Sequence, residues 1–521
     1  MKSMMIGQML KPKRNISKQS PPRWLAAGVL ALALAGCSAV AFAGTTYFVS
    51  TGGNNGNDGL SPTSAWRNVQ YAANHVAAGD TVNILGGVYN ETVNIPASGS
   101  ATAGFITFQN YKGGRAILDG TGLSVRGGQF GLITIVSQSY ITIQGLEIRN
   151  YKTNSRKSVP VGIWVTGAGG NLRLLNNHIH DIVTTATGCG GNALGVAFYG
   201  SEAPAALHDI TVDGNELNAM RTGCSETLTM DGNVNRFTIT HNLVHDNNNI
   251  GIDAIGFEGV SPDPAYDQAR NGYIGENTIF NITSQGNSAY PSGCWCSDGI
   301  YVDGGKNLVV ERNLIHHVDL GIEIASEHHG RVASYVIARS NVIYYGNSAG
   351  ISIGGYANTV GGTDHVKVVN NTLYKNDGKN TGSGEFQIQF HATNNVFKNN
   401  ILYSTSQALL IHCFTTSTPN PADVDYNLYF APVPAGSASF QWLGKTYGGF
   451  SAYQAAANED AHSNYVDPDF VNGQTPDLRV RSTSRAVNAG INLGAATVGT
   501  EDFAGKPRVQ GANIDIGAYE R

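Results

Sequence analysis

The sequence predicts an all-β chain: a parallel β-helix solenoid with a short N-terminal capping helix and a C-terminal cap or appendage. Two recurring limbs carry that prediction. One reads apolar-x-apolar-x-x-Asn-x-apolar, as at Leu172/Leu174/Asn177, Ile210/Val212/Asn215, Leu308/Val310/Asn313 and Val366/Val368/Asn371. The other reads Gly-apolar-x-apolar, as at Gly162-Ile163-Trp164-Val165, Gly299-Ile300-Tyr301-Val302 and Gly321-Ile322-Glu323-Ile324. Alternation of period two in both limbs means strands with one face buried. A repeat of about 27 to 38 residues then means short strands joined by variable loops, stacked coil upon coil. Composition agrees. The 521 residues include 65 Gly and only 14% charged side chains, which argues against a disordered or nucleic-acid-binding chain.

Residues 1–43 read as an export signal. Lys2, Lys11, Lys13, Arg14, Lys18 and Arg23 precede an apolar run from Trp24 to Phe42, and Ala41-Phe42-Ala43 is a small-x-small cleavage site. Leu34-Ala35-Gly36-Cys37 resembles a lipoprotein signal, so a secreted or periplasmic protein and an outer-membrane lipoprotein anchored at Cys37 are both expectations. Without the leader, 27 basic residues face 38 acidic ones, a formal charge of −11. Such a chain is a poor partner for nucleic acid or an anionic membrane, and it mildly favours neutral substrates. A monomer is expected.

Residues 44–120 read as an N-terminal cap and first coils, with strands at Tyr47–Ser50, Thr81–Leu85 and Phe105–Gln109 and a helix from Trp66 to Val76. The repeats occupy 121–418. Beyond Pro419 they fade into an Ala-, Gly-, Asn- and Pro-rich stretch, 419–521. Of the five cysteines after the leader, Cys189 and Cys224 precede comparable strands and suit a bridge between coils. Cys294-x-Cys296 is too short for a redox or zinc motif. Structural bridges with one thiol left over are expected.

The recurring Asn reads as an internal ladder whose amides satisfy backbone groups at a bend. His180, His245 and His316 each follow a ladder Asn by three residues, where other coils carry Phe280, Tyr344, Tyr374 and Tyr403. A position that takes His, Phe or Tyr is a stacking column rather than a metal site.

Outward residues of successive coils fall into vertical columns. The residue after Gly-apolar gives Trp164, Ala197, Thr229, Asp253, Tyr301, Glu323, Ser352 and Gln387; two positions on come Thr166, Tyr199, Asp231, Asp303, Gly354, Gln389 and His412. Acids concentrate at 231, 253, 303 and 323, on one stripe of a charge-poor protein. Glycoside hydrolysis needs two carboxylates about 5–5.5 Å apart for retention or about 6.5–9.5 Å for inversion. One coil step of about 4.8 Å and a two-residue offset put the Cα atoms of Asp303 and Glu323 roughly 8 Å apart. Asp253 joins them as a candidate catalytic acid, and crowding raises the pKa that a proton donor needs.

Tyr47-Phe48-Val49-Ser50, Gly56-Asn57-Asp58-Gly59 and Ala65-Trp66 resemble the opening of bacterial right-handed β-helix proteins of the pectate-lyase-like superfamily. Asp502-Phe503-Ala504-Gly505 and Asp515-Ile516-Gly517-Ala518-Tyr519-Glu520 resemble a C-terminal module of such proteins. Within the repeats, Gly299–Asp303 followed by Asp319–Ile324 resembles the catalytic segments of β-xylosidases of glycoside hydrolase family 120. That likeness implies Asp303 as nucleophile and Glu323 as acid/base, with no cofactor. Tyr301, Asp231, Glu327, His328, Arg331 and Trp164 are the candidate substrate contacts. The stretch Asp231…Asn247–Asp253 is similar to the calcium-binding segment of family 9 pectate lyases and implies metal ligands at Asp231 and Asp253 if the chain is a lyase. It departs from that family at Asn249 and Ile250, where aspartates belong, and at Tyr301, where the catalytic lysine belongs; Lys306, Arg221 or Tyr301 would have to act as the base. The expectation is an extracellular enzyme cleaving glycosidic bonds of a polysaccharide or oligosaccharide by two carboxylates. The alternatives are a calcium-assisted polysaccharide lyase and a non-catalytic adhesin stacking sugars on Trp164, Tyr199 and Tyr301.

Overall fold

A computed structural model describes residues 44–521 apart from positions 417 and 419, so the expected leader and Cys37 lie outside the described residues. Three long sheets wind around one apolar core. Sheet I runs from Thr46–Val49 to Ala422–Asp425, sheet II from Val93–Ile95 to Lys445–Gly448, and sheet III from Gly87–Tyr89 to Asn464–Tyr465. A coil visits them in turn. Asp298–Asp303 lies in sheet II, Lys306–Glu311 in sheet I and Leu314–Val318 in sheet III, before Leu320–Ala325 returns to sheet II directly beside Asp298–Asp303. Successive coils pair in parallel, as a β-helix requires.

The corner between sheets I and III shows why the Asn recurs. The residue before each ladder Asn turns through positive φ, among them His241 at 54°, Glu276 at 59° and Arg312 at 54°. Gly214 meets the same demand at 68° without the Cβ penalty. The Asn side chain then closes the bend. Asn313 Nδ2 donates to Ile274 O and to Asn341 Oδ1, both at 3.0 Å, while Asn313 Oδ1 accepts from the backbone N–H of Asn277 at 3.1 Å. The ladder runs unbroken from Asn177 to Asn400 and continues to Asn427. The stacking column also forms: His245–Phe280, Phe280–His316 and His316–Tyr344 stack at 4.8, 5.1 and 4.9 Å. Asn218 stands between His180 and His245 in the register, so His180 stacks on His178 instead.

Both ends are closed. The N-terminal helix is shorter than predicted, Val69–Ala73, because Trp66 is drawn into strand-like pairing with Phe48 and Ser50. Glu91 accepts the N–H groups of Val69 and Gln70 at 2.9 and 3.0 Å and so caps it. At the other end, sheets I to III run on beyond the fading of the sequence repeat. Helix Phe450–Ala457 then lays Tyr453 on Phe440, with centroids 4.7 Å apart. Residues after 466 fold back along the outside, where Phe470, Leu478, Ile516 and Ala518 pack on Val342, Tyr374 and Ile401. The Cys189 and Cys224 sulfurs are at disulfide distance, as are those of Cys294 and Cys296, and among the described residues Cys413 is the free thiol.

Candidate active site

The recurring Gly of the second limb sits at the corner where the chain enters sheet II and faces inward. A Cβ on Gly299 would stand 2.8 Å from Ile315 Cγ2, and one on Gly321 2.5 Å from Ile343 Cγ2. Gly and the following apolar residue therefore both point into the core. The next residue points out, and so does the residue before the Gly. This phase shift builds the site.

The first outward column follows the predicted order: Thr229, Asp253, Tyr301, Glu323, Ser352 and Gln387 are partners in the parallel register. His412 needs correction. It pairs with Gln387, so it belongs to this column and not to the one two residues on. The expected offset is present at the acids: Tyr301 faces Glu323, and Asp303 faces Ala325, two residues beyond. Thr229 faces Asp253, so Asp231 and Asp253 stand in the same relation two coils earlier on the same sheet.

The corner shift adds two acids that periodicity missed. Asp298 precedes Gly299 and pairs with Leu320, and Glu226 occupies the equivalent place beside Leu228. Both are buried. Their signal in the sequence is an acid immediately ahead of the inward corner position, three residues before an outward column rather than two. Tyr290 is a further addition. Its loop, 284–297, folds over the strands: Asn287 Nδ2 donates to Gly223 O and Asn248 O at 2.7 and 2.8 Å, and Ser297 Oγ donates to Asn249 Oδ1 at 3.2 Å. A second loop brings Phe257 against His328, with Arg331 over the Phe257 ring at 5.1 Å.

These loops exclude water from a cluster of like charges. Asp253 and Asp303 are 2% and 4% exposed. Burial, then the charges of Glu226, Asp303, Asp298 and Glu327, hold the Asp253 carboxyl well above the usual range. Asp298 is raised by burial and by Glu323, Asp319 and Glu327. Glu323, half-buried, is pushed up to about 8 by burial and by Glu327. Burial and the surrounding carboxylates put the Tyr301 phenol well above its ordinary value. Near neutral pH such a cluster must hold protons or a cation. Asp303 Oδ1 accepts the Glu327 N–H at 2.8 Å, a bond that favours a carboxylate.

Glu327 thus enters the site, and His328 and Arg331 line its rim. Trp164 does not reach it. Three coil steps separate it from Asp253, roughly 14 Å, and it packs with Tyr199 at 4.7 Å. Among the described residues, two groups bring three candidate metal ligands within 4.8 Å of one another: Glu258, Asp303 and His328 here, and Glu147, His178 and His180 on sheet III. Asp231 and Asp253 belong to neither. The first group includes an imidazole, a poor match for calcium, which takes oxygen ligands. In the second, Glu147 is already engaged by Arg115 and Arg149 at 3.1 and 2.6 Å.

Among known proteins, residues 47–193 match the family model described as the Pel9A-like right-handed β-helix region. Across 428 residues the chain is 34% identical to the Bacillus subtilis (strain 168) protein described as "Uncharacterized protein YwoF", covering 82% of this chain and 89% of that one. The chain belongs to the YwoF family of right-handed parallel β-helix proteins. Solved structures similar to this YwoF relative include pectate lyase Pel9A, at 16% identity over 92% of this chain and 96% of that one, TM-score 0.49. XylC in complex with xylose matches at 12% identity over 91% and 98%, TM-score 0.48. The GH136 lacto-N-biosidase from Eubacterium ramulus matches at 14% identity and TM-score 0.48, over 74% of this chain but only 64% of the enzyme. None of these three likenesses brings a mechanism to this chain.

Proposed function

We propose that this protein is an extracellular carbohydrate-active enzyme that cleaves glycosidic bonds with two carboxylates, Asp303 as nucleophile and Glu323 as acid/base. The observation that supports this most is the register: the two acids lie on adjacent coils, offset by two residues. Their environments differ as the two roles require. Glu323, pushed up to about 8, is protonated near neutral pH and gives its proton to the leaving oxygen. Asp303, stabilised as an anion by the Glu327 N–H, attacks the anomeric carbon as that bond breaks. Water then attacks the glycosyl ester, Glu323 takes its proton, and Asp303 is released. Glu327 keeps the field around Glu323 negative.

A lyase needs a base of accessible pKa. Tyr301 stands far above that range, Lys306 lies exposed on sheet I, and Arg221 is exposed outside the cluster. The deciding experiment incubates the mature protein with neutral and uronic polysaccharides and follows reducing ends together with the absorbance of an unsaturated product. Reducing ends without absorbance are expected. Absorbance rising in step with them would replace the hydrolase with a lyase, and silence in both channels would leave a glycan-binding surface protein.

A further inference from the structure

The three sheets differ in charge in a way the acids alone do not reveal. Sheet I carries a basic residue in most of its central strands, among them Arg173, Arg236, Arg270, Lys306, Arg339 and Lys367. Sheet II, which carries the site, has no Lys or Arg in any strand from Val93–Ile95 to Ser439–Trp442. On the rim, Arg331 lies over Phe257, and Lys379 over Trp295 at 5.0 Å. A polyuronate laid along this face would bring a carboxylate with every unit onto strands that carry acids and no lysine or arginine, and the two rim cations are already engaged on aromatic rings.

Past Glu323 the face turns from acidic to neutral. Ser352, Gln387 and His412 continue its column in register. Gln387 Nε2 donates to His412 Nδ1 at 3.2 Å, which fixes that nitrogen as an acceptor, and Gln389 Nε2 donates to Gln387 Oε1 at 2.8 Å. Burial holds the His412 imidazole well below its usual value, at about 4, so it is neutral. Gln389 is 7% exposed, and its Oε1 has no hydrogen-bond partner. A buried acceptor without a donor is costly in a finished structure and suits a ligand hydroxyl. Phe414 adds an apolar surface, 5.1 Å from both His412 and Phe390.

Building on the two-carboxylate reading, we propose that the substrate is an uncharged glycan and that the sugar unit beyond Glu323 lies against Gln387, Gln389 and His412. The full mature chain carrying Glu323→Gln is titrated with neutral xylo-, manno-, cello- and galacto-oligosaccharides and N-acetylhexosamine oligomers, and with oligogalacturonate and oligoalginate, each with and without calcium. Binding of a neutral set, with no uronate binding in either condition, is expected. Uronate binding as tight as neutral binding, or binding of nothing in the panel, overturns the proposal. In the wild-type background, Gln387→Ala and the near-isosteric Gln389→Leu are expected to raise KM for the neutral ligand about tenfold with kcat little changed. Unchanged KM in both folded variants overturns the placement of the sugar unit. The two readings fail separately: a neutral glycan bound by wild type without turnover sinks the hydrolase and leaves the substrate class standing, whereas hydrolysis of a uronate does the reverse.

Discussion

Glu327 donates its backbone N–H to Oδ1 of Asp303 at 2.8 Å, so the loop beyond Glu323 is tied to the strand on the adjacent coil. The same loop residue presses its carboxylate on Glu323. One side chain and one peptide group of Glu327 thus act on different coils: the N–H bonds the Asp303 carboxyl, and the carboxylate favours a proton on Glu323.

Asp303→Asn keeps an acceptor for that N–H, so the loop is expected to stay in place while the nucleophile is lost. Turnover should fall by about 10²–10⁴-fold, as should that of Glu323→Gln, with melting temperatures little lower than wild type. Steady-state kinetics on the glycan identified by screening checks this. Wild-type rates in both variants would remove these residues from the chemistry.

Activity should be lost on the alkaline side. Glu323 works as a donor only while protonated, so kcat/KM falls as pH rises through about 8. Glu327→Gln removes a like charge and should move that limb to lower pH. A limb that stays in place in this variant would show that another group controls it.

Most of the fold was legible because a solenoid repeats its physics. The Asn at the bend and the Gly-apolar corner recur with each coil, so the sequence marks the columns and with them Asp253, Tyr301 and Glu323. Asp298 and Glu226 escaped because the inward corner residue, Gly299 or Thr227, shifts the strand by one residue, which simple alternation does not show. Tyr290 escaped because loops have no register. The end of the solenoid was blurred for a different reason. Asn427 keeps the ladder, but Ser463 accepts the role beyond it by donating to Asp460, and Asp460 also takes the hydroxyls of Tyr429 and Tyr453.

Stability should fall as pH rises from about 5 to 8.5. Glu385 occupies the inward corner where other coils have Gly299, Gly321 and Gly350, fully buried, and burial pushes it up to about 8. With a folded pKa above the unfolded one, its contribution is complete below the unfolded value and is lost through the folded one. Asp460, at about 7, acts in the same sense. Glu385→Gly should flatten the dependence of melting temperature on pH; an unchanged slope would assign that slope to other acids.

The ladder itself can be broken in one place. Asn313→Ala strands the backbone N–H of Asn277 and the carbonyl of Ile274, and should cost about 2–4 kcal/mol. Denaturant unfolding measures it, and a loss under about 0.5 kcal/mol would mean that water replaces the amide.

Because each strand of sheet II repeats at the coil spacing, the molecule is a ruler with fixed divisions. Residues one above another in a column change separation only by whole coils, while their lateral offset changes by pairs of residues. Lengthening a loop leaves both unaltered. A relative with a longer or shorter row of neutral residues beyond Glu323 would therefore differ by an integral number of coils, and inserting one coil between Glu323 and Gln387 would displace the sugar contacts by about 4.8 Å without touching the pair of acids.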